Sequence, residues 1–375
     1  MTQILADHLR DLGNQVCIAF PATRSHRPEL NALTIFGKPS VRYEPAFHGH
    51  QCAAVGTYLP ELEYTYSKPS GLWASLVDSY DFHVVVSGTP VLAMPLAEAG
   101  VPHLVWCASD VYGDRIDRQK DYALTRRLLD RHLVMRKLQA QERQVLNGSG
   151  RIMTISRSSK QSLTERSCPQ RSDIGQLNIP TDMGFFCPPK NHAPGWRLGF
   201  AGRLSDPRKN AALLLDVVAK LRRSRKDVNL IVTGEVTPEL TVEIARRGLE
   251  GVVIFLGILD QPGLRDFYQN LDVFVIPSFQ EGHAIVGVEA MACGVPVVST
   301  RCGGPEGYIQ DRENGYFSDF DVEDMAACIE NICGQSENRK NMSLNARKTA
   351  VEKFGLPQFH LDLKQVWYET FGNAL

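Results

Sequence analysis

The sequence has 375 residues, more than one typical domain, and its 43% hydrophobic and 22% charged residues are ordinary for a globular protein. Its 41 basic and 42 acidic side chains give a formal net charge of -1, which argues against a nucleic-acid-binding protein that relies on overall charge. The 9 cysteines form no Cys-x-x-Cys pair and no apolar run reaches membrane-spanning length, so we predict a cytoplasmic protein of two domains.

The first half of the chain predicts alternating helices and strands. It begins with a helix that ends at Gly13, and the strand-like segment 15–20 follows. Residues 83–88 and 103–107 are apolar enough for buried strands, whereas 90–100 has the proline and the glycine that mark the two ends of a helix. Strand, helix and strand in succession predict a parallel sheet.

A long polar helix is predicted at 115–146, with Leu124, Leu128, Met135 and Leu138 on its inward face. Basic residues outnumber acidic ones along it, which would suit peripheral contact with an anionic membrane or a lipid-linked acceptor. A solvated helix face is the alternative, because the two signs of charge are interspersed.

The second half restarts the alternation after a proline-rich connection at 185–196. The predicted strands are 197–202, 228–234, 252–257, 272–278 and 295–300, with helices at 211–223, 238–247, 262–270 and 284–293. This pattern predicts a doubly wound parallel sheet. The predicted domains are an amino-terminal domain at 1–187, a carboxy-terminal domain at 188–355, and a terminal helix at 356–375 that packs back toward the first domain.

Two glutamates, Glu281 and Glu289, follow the strand 272–278, where open parallel sheets bind ligands. The residues between them are predicted to open a helix, whose first backbone N–H groups form an anion site: Gly282, His283, Ala284, Ile285 and Val286. A carboxylate there can accept hydrogen bonds from the hydroxyls of a sugar. The alternative is an ordinary first-turn acid at 281 and an exposed helix residue at 289.

A second candidate site is the segment "GRLSDPRKN", residues 202–210, in the loop after the first strand of the second domain. Gly202 begins this loop, and Arg203 and Lys209 are two cations that could neutralise a diphosphate. An ordinary surface arginine is the alternative for Arg203. Together with the helix start at 282, the loop predicts a cleft for a nucleoside diphosphate sugar.

With these residues in view, the chain resembles the retaining glycosyltransferases of the GT-B fold, specifically the group-1 (family 4) type. "GRLSDPRKN" is similar to the diphosphate loop of that family, and "PSFQEGHAIVGVEAMACGVPVVSTRCGGPEGYIQDRENGYF" resembles its E-x7-E signature and following glycine pair. The resemblance covers residues 197 to about 345. It implies an α/β protein of two Rossmann-like, doubly wound parallel-sheet domains.

The resemblance also implies roles for the candidate residues. Glu281 would contact the donor sugar, Glu289 the ribose, and the backbone of 282–286 the distal phosphate, while Arg203 and Lys209 would hold the diphosphate. The donor would be a UDP- or GDP-linked sugar, and the acceptor a hydroxyl of a polysaccharide, glycan or lipid-linked precursor at or near the inner face of the membrane. No cofactor and no metal are expected, and the leaving phosphate oxygen would take the acceptor's proton.

The chain departs from the family pattern in three places. His283 and Ala284 stand where an aromatic residue and a glycine are usual. His283 either adds a hydrogen-bond donor to the phosphate or replaces the aromatic side chain that lines the phosphate pocket. Asp110 is the candidate contact from the amino-terminal domain, with helix capping as its alternative. The usual first strand is absent, so we predict either that Met1 is internal to a longer natural protein or that activity is altered or lost.

Three rival interpretations stay open: a non-catalytic or impaired sugar-nucleotide-binding subunit, a GT-B-fold nucleotide-sugar epimerase, and a hydrolase. A nicotinamide oxidoreductase is disfavoured because no Gly-x-Gly-x-x-Gly follows a strand. The acidic pair in "DFD" at 319–321 and the group His48, His50 and Cys52 are not predicted to bind metal, because neither has the ligand spacing of a defined site.

Overall fold

The protein is described by a computed structural model that covers residues 1–33, 36–47, 49–68, 70–115, 124–167, 171–373 and 375. The chain forms two compact units. The first unit consists of Met1–Ile155, Ser159–Leu177 and Asp362–Leu375, and the second of Ser156–Ser158 and Asn178–Leu361.

The main division of the chain lies ten residues before the predicted boundary at 187, and the proline-rich connection belongs to the second unit. Phe186 is part of a buried cluster of that unit, and the Arg347 guanidinium donates hydrogen bonds to the carbonyl oxygens of Phe186 and Met183. These contacts attach the connection firmly to the second core. The end of the predicted terminal helix is grouped with the first unit from Asp362 onward.

The described residues of the first unit form two separate sheets. Its elements are α1 (Thr2–Asp11), β1 (Cys17–Pro21), β2 (Val41–Ala46), β3 (His50–Val55), α2 (Ser70–Val77), β4 (Val84–Ser87), α3 (Met94–Ala99), β5 (Leu104–Cys107), α4 (Val111–Arg115), α5 (Leu124–Leu129), α6 (Met135–Leu146), β6 (Arg151–Thr154), α7 (Arg157–Arg166) and β7 (Gly175–Gln176). The sheet orders are β1-β3-β2 and β4-β5-β6-β7.

The strands β4 to β7 are all parallel, as the sequence predicts, whereas β2 and β3 form an antiparallel hairpin that is not among the predicted elements. β5 is completely buried, which explains its uninterrupted apolar run. In the described part of the chain, β1 is paired with β3 alone and β4 with β5 alone, so each has one open edge. An open strand edge presents unpaired backbone groups to whatever lies beside it.

The predicted helix at 115–146 contains an irregularity. Residues 116–123 and the side chain of Leu124 lie outside the described part, and the rest consists of α5, a π-helical turn at Asp130–Val134 and α6. A π turn contains more residues than an α turn. Residues before and after it therefore do not face the same side of the helix, as they would with regular α-helical spacing. Met135 and Leu138 are buried as predicted, but Leu128 is 59% exposed, which corrects its predicted inward position.

The second unit is built on a six-stranded parallel sheet. Its elements are β8 (Trp196–Ala201), α8 (Ala211–Ser224), β9 (Val228–Thr233), α9 (Pro238–Arg246), β10 (Val253–Phe255), α10 (Gln261–Gln269), β11 (Val273–Ile276), α11 (Ile285–Ala292), β12 (Val297–Thr300), β13 (Gly315–Ser318), α12 (Val322–Cys333) and α13 (Ser336–Phe354). The last helix, α14 (Leu356–Phe371), begins in this unit and belongs to the first unit from Asp362 onward. The strand order is β10-β9-β8-β11-β12-β13, so the predicted doubly wound sheet is confirmed and a sixth strand is added.

Apolar side chains hold this sheet between its helices in two buried clusters. One cluster includes Leu198, Leu214 and Leu230, and the other includes Phe274 and Met291. The strands therefore meet apolar neighbours on both faces, as a parallel sheet covered by helices requires.

Among the described residues, no helix has both the length and the apolar composition that a membrane crossing would require.

Candidate functional site

The candidate site lies where the winding of the second sheet reverses direction. β8 and β11 are adjacent and parallel, with Leu198 opposite Val273, so their carboxyl ends lie side by side. The chain leaves β8 toward β9 on one side, and the strand after β11 is β12 on the other side. Open α/β sheets bind ligands at such a switch point. Both sequence motifs, 202–210 and 278–289, follow these two strands.

Local hydrogen bonds give the loop after β8 a defined shape. Gly202 has a φ of 126°, a conformation that a side chain would strain. Asp206 accepts a hydrogen bond from the backbone N–H of Arg208 and also binds the Arg208 guanidinium at 2.7 Å. Asn210 then caps α8 through the N–H of Leu213. Lys209 lies at the end of the short turn between Asp206 and Asn210, which are both N-cap residues.

Lys209 and Glu281 form the centre of the site. The Lys209 ammonium donates to the Oε1 atom of Glu281 at 2.7 Å, and the Ser278 hydroxyl donates to the same oxygen at 2.7 Å. The side chains of Lys209 and Glu281 are 20% and 11% exposed, so the pair is largely shielded from water. Ser278 belongs to none of the predicted site residues, although its position directly after an apolar strand is a usable signal.

Arg203 is not part of this pair. Its guanidinium lies 3.8 Å from the Asp206 carboxylate, and its side chain is 73% exposed. The structure therefore brings together Lys209 and Glu281, while Arg203 extends into solvent. The Asp206 contact is a weak surface ion pair, which costs little to break.

The backbone of Glu281 is attached to the glycine-rich turn at 302–304. The N–H of Glu281 donates to the Cys302 carbonyl at 2.7 Å, and the N–H of Gly304 donates to the Glu281 carbonyl at 3.0 Å. A Cβ atom at Gly304 would lie 2.6 Å from the carbonyl carbon of His283, so only glycine permits this approach. These contacts fix the position of the carboxylate relative to β12.

The helix α11 begins at Ile285, one residue after the predicted bound at 284, so Gly282 and His283 precede the helix and do not form its first turn. Gly282 is exposed with no atom within 4 Å of its missing Cβ position, so space for a ligand exists beside its backbone. Ala284 is the N-cap residue and has a left-handed φ of 54°. The N–H groups of Ile285 and Val286 are therefore the ones in the first turn of the helix, where backbone donors have no partner within the helix.

We expect the Ala284→Gly substitution to stabilise the protein by about 0.5–1 kcal/mol. A left-handed conformation strains alanine, whereas glycine adopts it freely, and this gain exceeds the entropy that glycine adds to the unfolded chain. The measurement is thermal unfolding, with an expected rise in Tm of about 1–3 °C.

Ala290→Gly is the matched control, because Ala290 is buried in the same helix in a right-handed conformation. That change should lower the Tm. A lower Tm for Ala284→Gly as well would contradict the strain argument.

His283 is buried against aromatic rings. Its ring centroid lies 5.6 Å from that of Phe354 and 6.4 Å from that of Tyr308. Tyr308 in turn donates a hydrogen bond to the carbonyl of Ala284 at 3.1 Å. This packing agrees with the interpretation in which the His283 imidazole takes the place of the aromatic side chain that is usual at this position.

Glu289 is partly buried, so the alternative interpretation of Glu289 as an exposed helix residue is wrong. The Tyr268 hydroxyl donates a hydrogen bond to Oε2 of Glu289 at 2.8 Å. Burial raises the pKa of Glu289, and the hydrogen bond from Tyr268 opposes that rise. Tyr268 was missed, because in sequence it is one apolar position of an amphipathic helix. A partly buried carboxylate with a fixed partner is suited to binding a hydroxyl.

Asp110, in the first unit, has the contacts of a helix cap. Its Oδ1 atom accepts from the N–H groups of Tyr112 and Gly113 at 2.8 and 2.9 Å, and Oδ2 accepts from the Ser162 hydroxyl at 2.7 Å. The Arg166 guanidinium lies 3.3 Å from Oδ1. These partners satisfy the buried Asp110 carboxylate. Asp110 therefore acts as a helix cap in this structure, which was the alternative interpretation of this residue.

The residues of the other candidate motifs also have structural partners. Asp321 caps α12 through the N–H of Asp324. His50 is buried in β3 with its Nε2 atom 2.8 Å from the Asp7 carboxylate, while His48 lies outside the described residues. No group of three or more metal-ligating side chains occurs in the described ranges of the chain.

Residues 195–335 match the family model described as glycosyl transferases group 1. D-inositol 3-phosphate glycosyltransferase of Kribbella flavida is 28% identical over 232 residues, which are 56% of this chain and 54% of that protein. The enzyme of the same name from Arthrobacter sp. is 33% identical over 154 residues, 39% of this chain and 36% of that protein. The chain thus spans about half or less of the length of these curated relatives.

Two solved structures show the same fold. Sucrose-phosphate synthase from Thermosynechococcus elongatus has a TM-score of 0.71 at 18% identity, covering 99% of this chain and 92% of that one. HepE of Anabaena in complex with UDP has a TM-score of 0.66 at 18% identity, covering 86% of this chain and 87% of that one. The chain therefore has the GT-B fold, and residues 195–335 of its second unit are similar to the group 1 glycosyl transferases.

Proposed function

We propose that this protein transfers a sugar from a nucleoside diphosphate sugar to an acceptor hydroxyl, with retention of the anomeric configuration. The observation that carries the proposal is the shielded pair of Lys209 and Glu281 at the switch point of the second sheet, beside the first turn of α11. A cation, a carboxylate and free helix-end donors are the groups that a diphosphate with an attached sugar requires.

In this proposal the diphosphate takes the Lys209 ammonium as its partner. The helix N-terminus adds backbone donors and the positive end of its dipole for the distal phosphate. Arg203 reaches the same diphosphate after giving up its weak contact with Asp206. Glu281 keeps the hydrogen bond from Ser278 and has capacity for a sugar hydroxyl, because a carboxylate accepts about four hydrogen bonds. Glu289 binds a ribose hydroxyl.

The reaction breaks the bond between the anomeric carbon and the diphosphate oxygen, and forms one between that carbon and the acceptor oxygen. The electron pair of the broken bond remains on the diphosphate, so negative charge grows there in the transition state. Lys209 and the backbone N–H groups stabilise this charge more than they stabilise the ground state. The leaving phosphate oxygen accepts the proton from the acceptor hydroxyl, so no protein base is needed.

The relatives support a choice of donor and acceptor class. HepE was solved with UDP, and the other relatives are named sucrose-phosphate synthase and D-inositol 3-phosphate glycosyltransferase. We infer a UDP-linked hexose as donor and a carbohydrate hydroxyl, free or lipid-linked, as acceptor. Peripheral contact with the membrane would accompany a lipid-linked acceptor.

The proposal is tested in two steps with the full chain. Isothermal titration calorimetry with UDP, GDP and UMP should show that the diphosphates bind and that UMP binds much more weakly, because Lys209 and the helix end contact the distal phosphate. Incubation with UDP-glucose and a panel of glycan acceptors should then release UDP, and nuclear magnetic resonance should show an α-linked product. Failure of both diphosphates to bind, or a β-linked product, would refute it. Binding without turnover would favour the non-catalytic subunit.

A further inference from the structure

Two phenylalanine side chains at the carboxyl end of the second sheet are exposed and stack on each other. Phe279 lies in the loop after β11, and Phe320 lies between β13 and α12. Their ring centroids are 5.3 Å apart with an angle of 22° between the ring planes, yet the two residues are 57% and 51% exposed. The pair therefore leaves roughly 200 Å² of aromatic surface in contact with water.

The first ring of this pair is attached to the candidate site. The backbone N–H of Phe279 donates to the Arg208 carbonyl at 2.8 Å, within the loop that carries Lys209. Phe279 also precedes Glu281 by two residues, so their Cα atoms are at most about 7 Å apart. The exposed aromatic surface is thus continuous with the position of the Lys209 and Glu281 pair.

Hydrogen-bonding side chains flank both rings. Gln280 follows the first ring, Asp319 and Asp321 stand on either side of Phe320, and all three are exposed. The N–H of Asp319 donates to the Asp324 carboxylate at 2.8 Å, which fixes the turn. Asp321 accepts the N–H of Asp324 at 2.9 Å and has capacity for further hydrogen bonds, because a carboxylate accepts about four.

This combination of groups suits a sugar ring. The C–H groups on one face of a sugar carry partial positive charge and meet the negative face of an aromatic ring. The sugar hydroxyls can at the same time donate to carboxylates and amide oxygens at the edge of the ring. The acidic pair of the segment 319–321, which has no ligand spacing for a metal, thus has hydroxyl groups as its chemical partners.

The aromatic pair and the proposed ribose contact belong to different sides of the second sheet. The helices α8 and α12 pack in the buried cluster that includes Val275, whereas α10 and α11 pack in the cluster that includes Phe274. Neighbouring residues of a strand point to opposite faces, so these helix pairs cover opposite faces of β11. Phe320 lies two residues before α12, and Glu289 lies on α11. A nucleoside at Glu289 therefore leaves the aromatic pair uncovered.

We propose that the stacked pair of Phe279 and Phe320 is a sugar-binding platform for the acceptor. The platform holds a sugar ring other than the one whose hydroxyl reacts, because the reacting hydroxyl has to reach the donor sugar at Glu281. The acceptor is then an oligosaccharide or a glycan chain rather than a single sugar. This inference rests on the proposed transferase function and specifies its acceptor. A protein partner is disfavoured, because a stable interface covers about 800 Å² on each partner.

The test measures saccharide binding to the full chain in the presence of UDP, by calorimetry and saturation-transfer nuclear magnetic resonance. The probes are maltotriose, cellotriose, mannotriose and triacetylchitotriose, each compared with its own monosaccharide. We expect a trisaccharide of this panel to bind about tenfold more tightly than its monosaccharide, because only the longer molecule reaches both positions. Saturation of the aromatic protons of the protein should pass to the C–H groups on one face of a sugar ring.

Substitutions of the two rings test the platform directly. Phe279→Ala and Phe320→Ala should each weaken binding of the trisaccharide by about tenfold, whereas Phe279→Tyr keeps an aromatic face and should retain binding. Leu344→Ala is the matched control, because Leu344 is an apolar residue of α13 that is 61% exposed. The affinity for UDP should be unchanged in all four variants, which also shows that they are folded.

Unchanged trisaccharide binding by both alanine variants would overturn the proposal. Absence of binding by every saccharide of the panel, with UDP bound normally, would overturn it as well. A loss of UDP affinity in Phe279→Ala would also contradict it, because the ring would then belong to the nucleotide site. The proposed transferase function fails by another result, the failure of UDP and GDP to bind, so the two failures are distinguishable.

Discussion

The Lys209→Met variant is expected to turn over its donor about 10²–10³-fold more slowly than the unsubstituted protein, because it lacks one fixed charge that stabilises the leaving diphosphate in the transition state. Methionine keeps most of the length and apolar character of lysine, and Glu281 retains the hydrogen bond from Ser278. The measurement is release of UDP at saturating donor, together with calorimetry of UDP binding.

Lys220→Met is the matched control, because Lys220 lies on α8 and forms an ion pair with Glu323, away from the candidate site. It should leave both turnover and UDP binding unchanged. A Lys209→Met variant with normal turnover would show that the pair with Glu281 is structural. A fall in turnover with unchanged Tm would support the electrostatic role.

The Glu142→Gln variant is expected to become more stable than the unsubstituted protein as the pH rises. Glu142 is buried, and its Oε1 atom accepts the backbone N–H of Val111 at 2.7 Å. Burial raises the pKa of its carboxyl group to about 7, Asp110 adds to the rise, and the hydrogen bond from Val111 opposes it. Glutamine can accept the same hydrogen bond without carrying a charge at any pH.

The direction of the pH effect follows from proton linkage. The unfolded glutamate loses its proton near pH 4.5 and the folded one near pH 7, so the stabilising contribution is complete below the first value and lost as the pH rises through the second. The free energy of unfolding of the unsubstituted protein should fall by about 2 kcal/mol relative to the variant between about pH 5.5 and 8.

Denaturant unfolding at several pH values measures this difference. Glu98→Gln is the control, because Glu98 is an exposed acid on α3 of the same unit. The free energy of unfolding of this variant should change with pH in the same way as that of the unsubstituted protein. Parallel curves for Glu142→Gln would mean that Glu142 is already ionised at low pH in the folded protein.

The sheet of the second unit was predictable because its strands are buried on both faces. Such strands are mostly apolar runs separated by helices with a clear polar face: β11 is entirely apolar, and β8 and β9 are largely so, with Arg197 and Asn229 near their starts. The two loops of the candidate site were predictable for a related reason. They follow strands whose order along the chain already indicated a doubly wound sheet.

Other features could not be predicted from the sequence. The hairpin of β2 and β3 gives only a short strand signal, because β2 alternates apolar and polar residues over 41–44 and is then interrupted by Pro45, and β3 does not alternate. The π-helical turn at Asp130–Val134 has no compositional signal, so the prediction for Leu128 was wrong. Gly282 and His283 lie before the first turn of α11 because a left-handed alanine at 284 ends the preceding loop, at a position where glycine would be usual. The contact between Tyr268 and Glu289 depends on packing between two helices.

The attachment of Glu281 to the turn at 302–304 has a consequence for how this protein tolerates mutation. Gly303 and Gly304 carry no side-chain group that could meet a ligand, yet the second of them holds the main chain of the glutamate in place. Any side chain at 304 would collide with the backbone of His283. Inherited changes at this glycine would thus move the Glu281 carboxylate from its place beside Lys209, even though every functional group remained present.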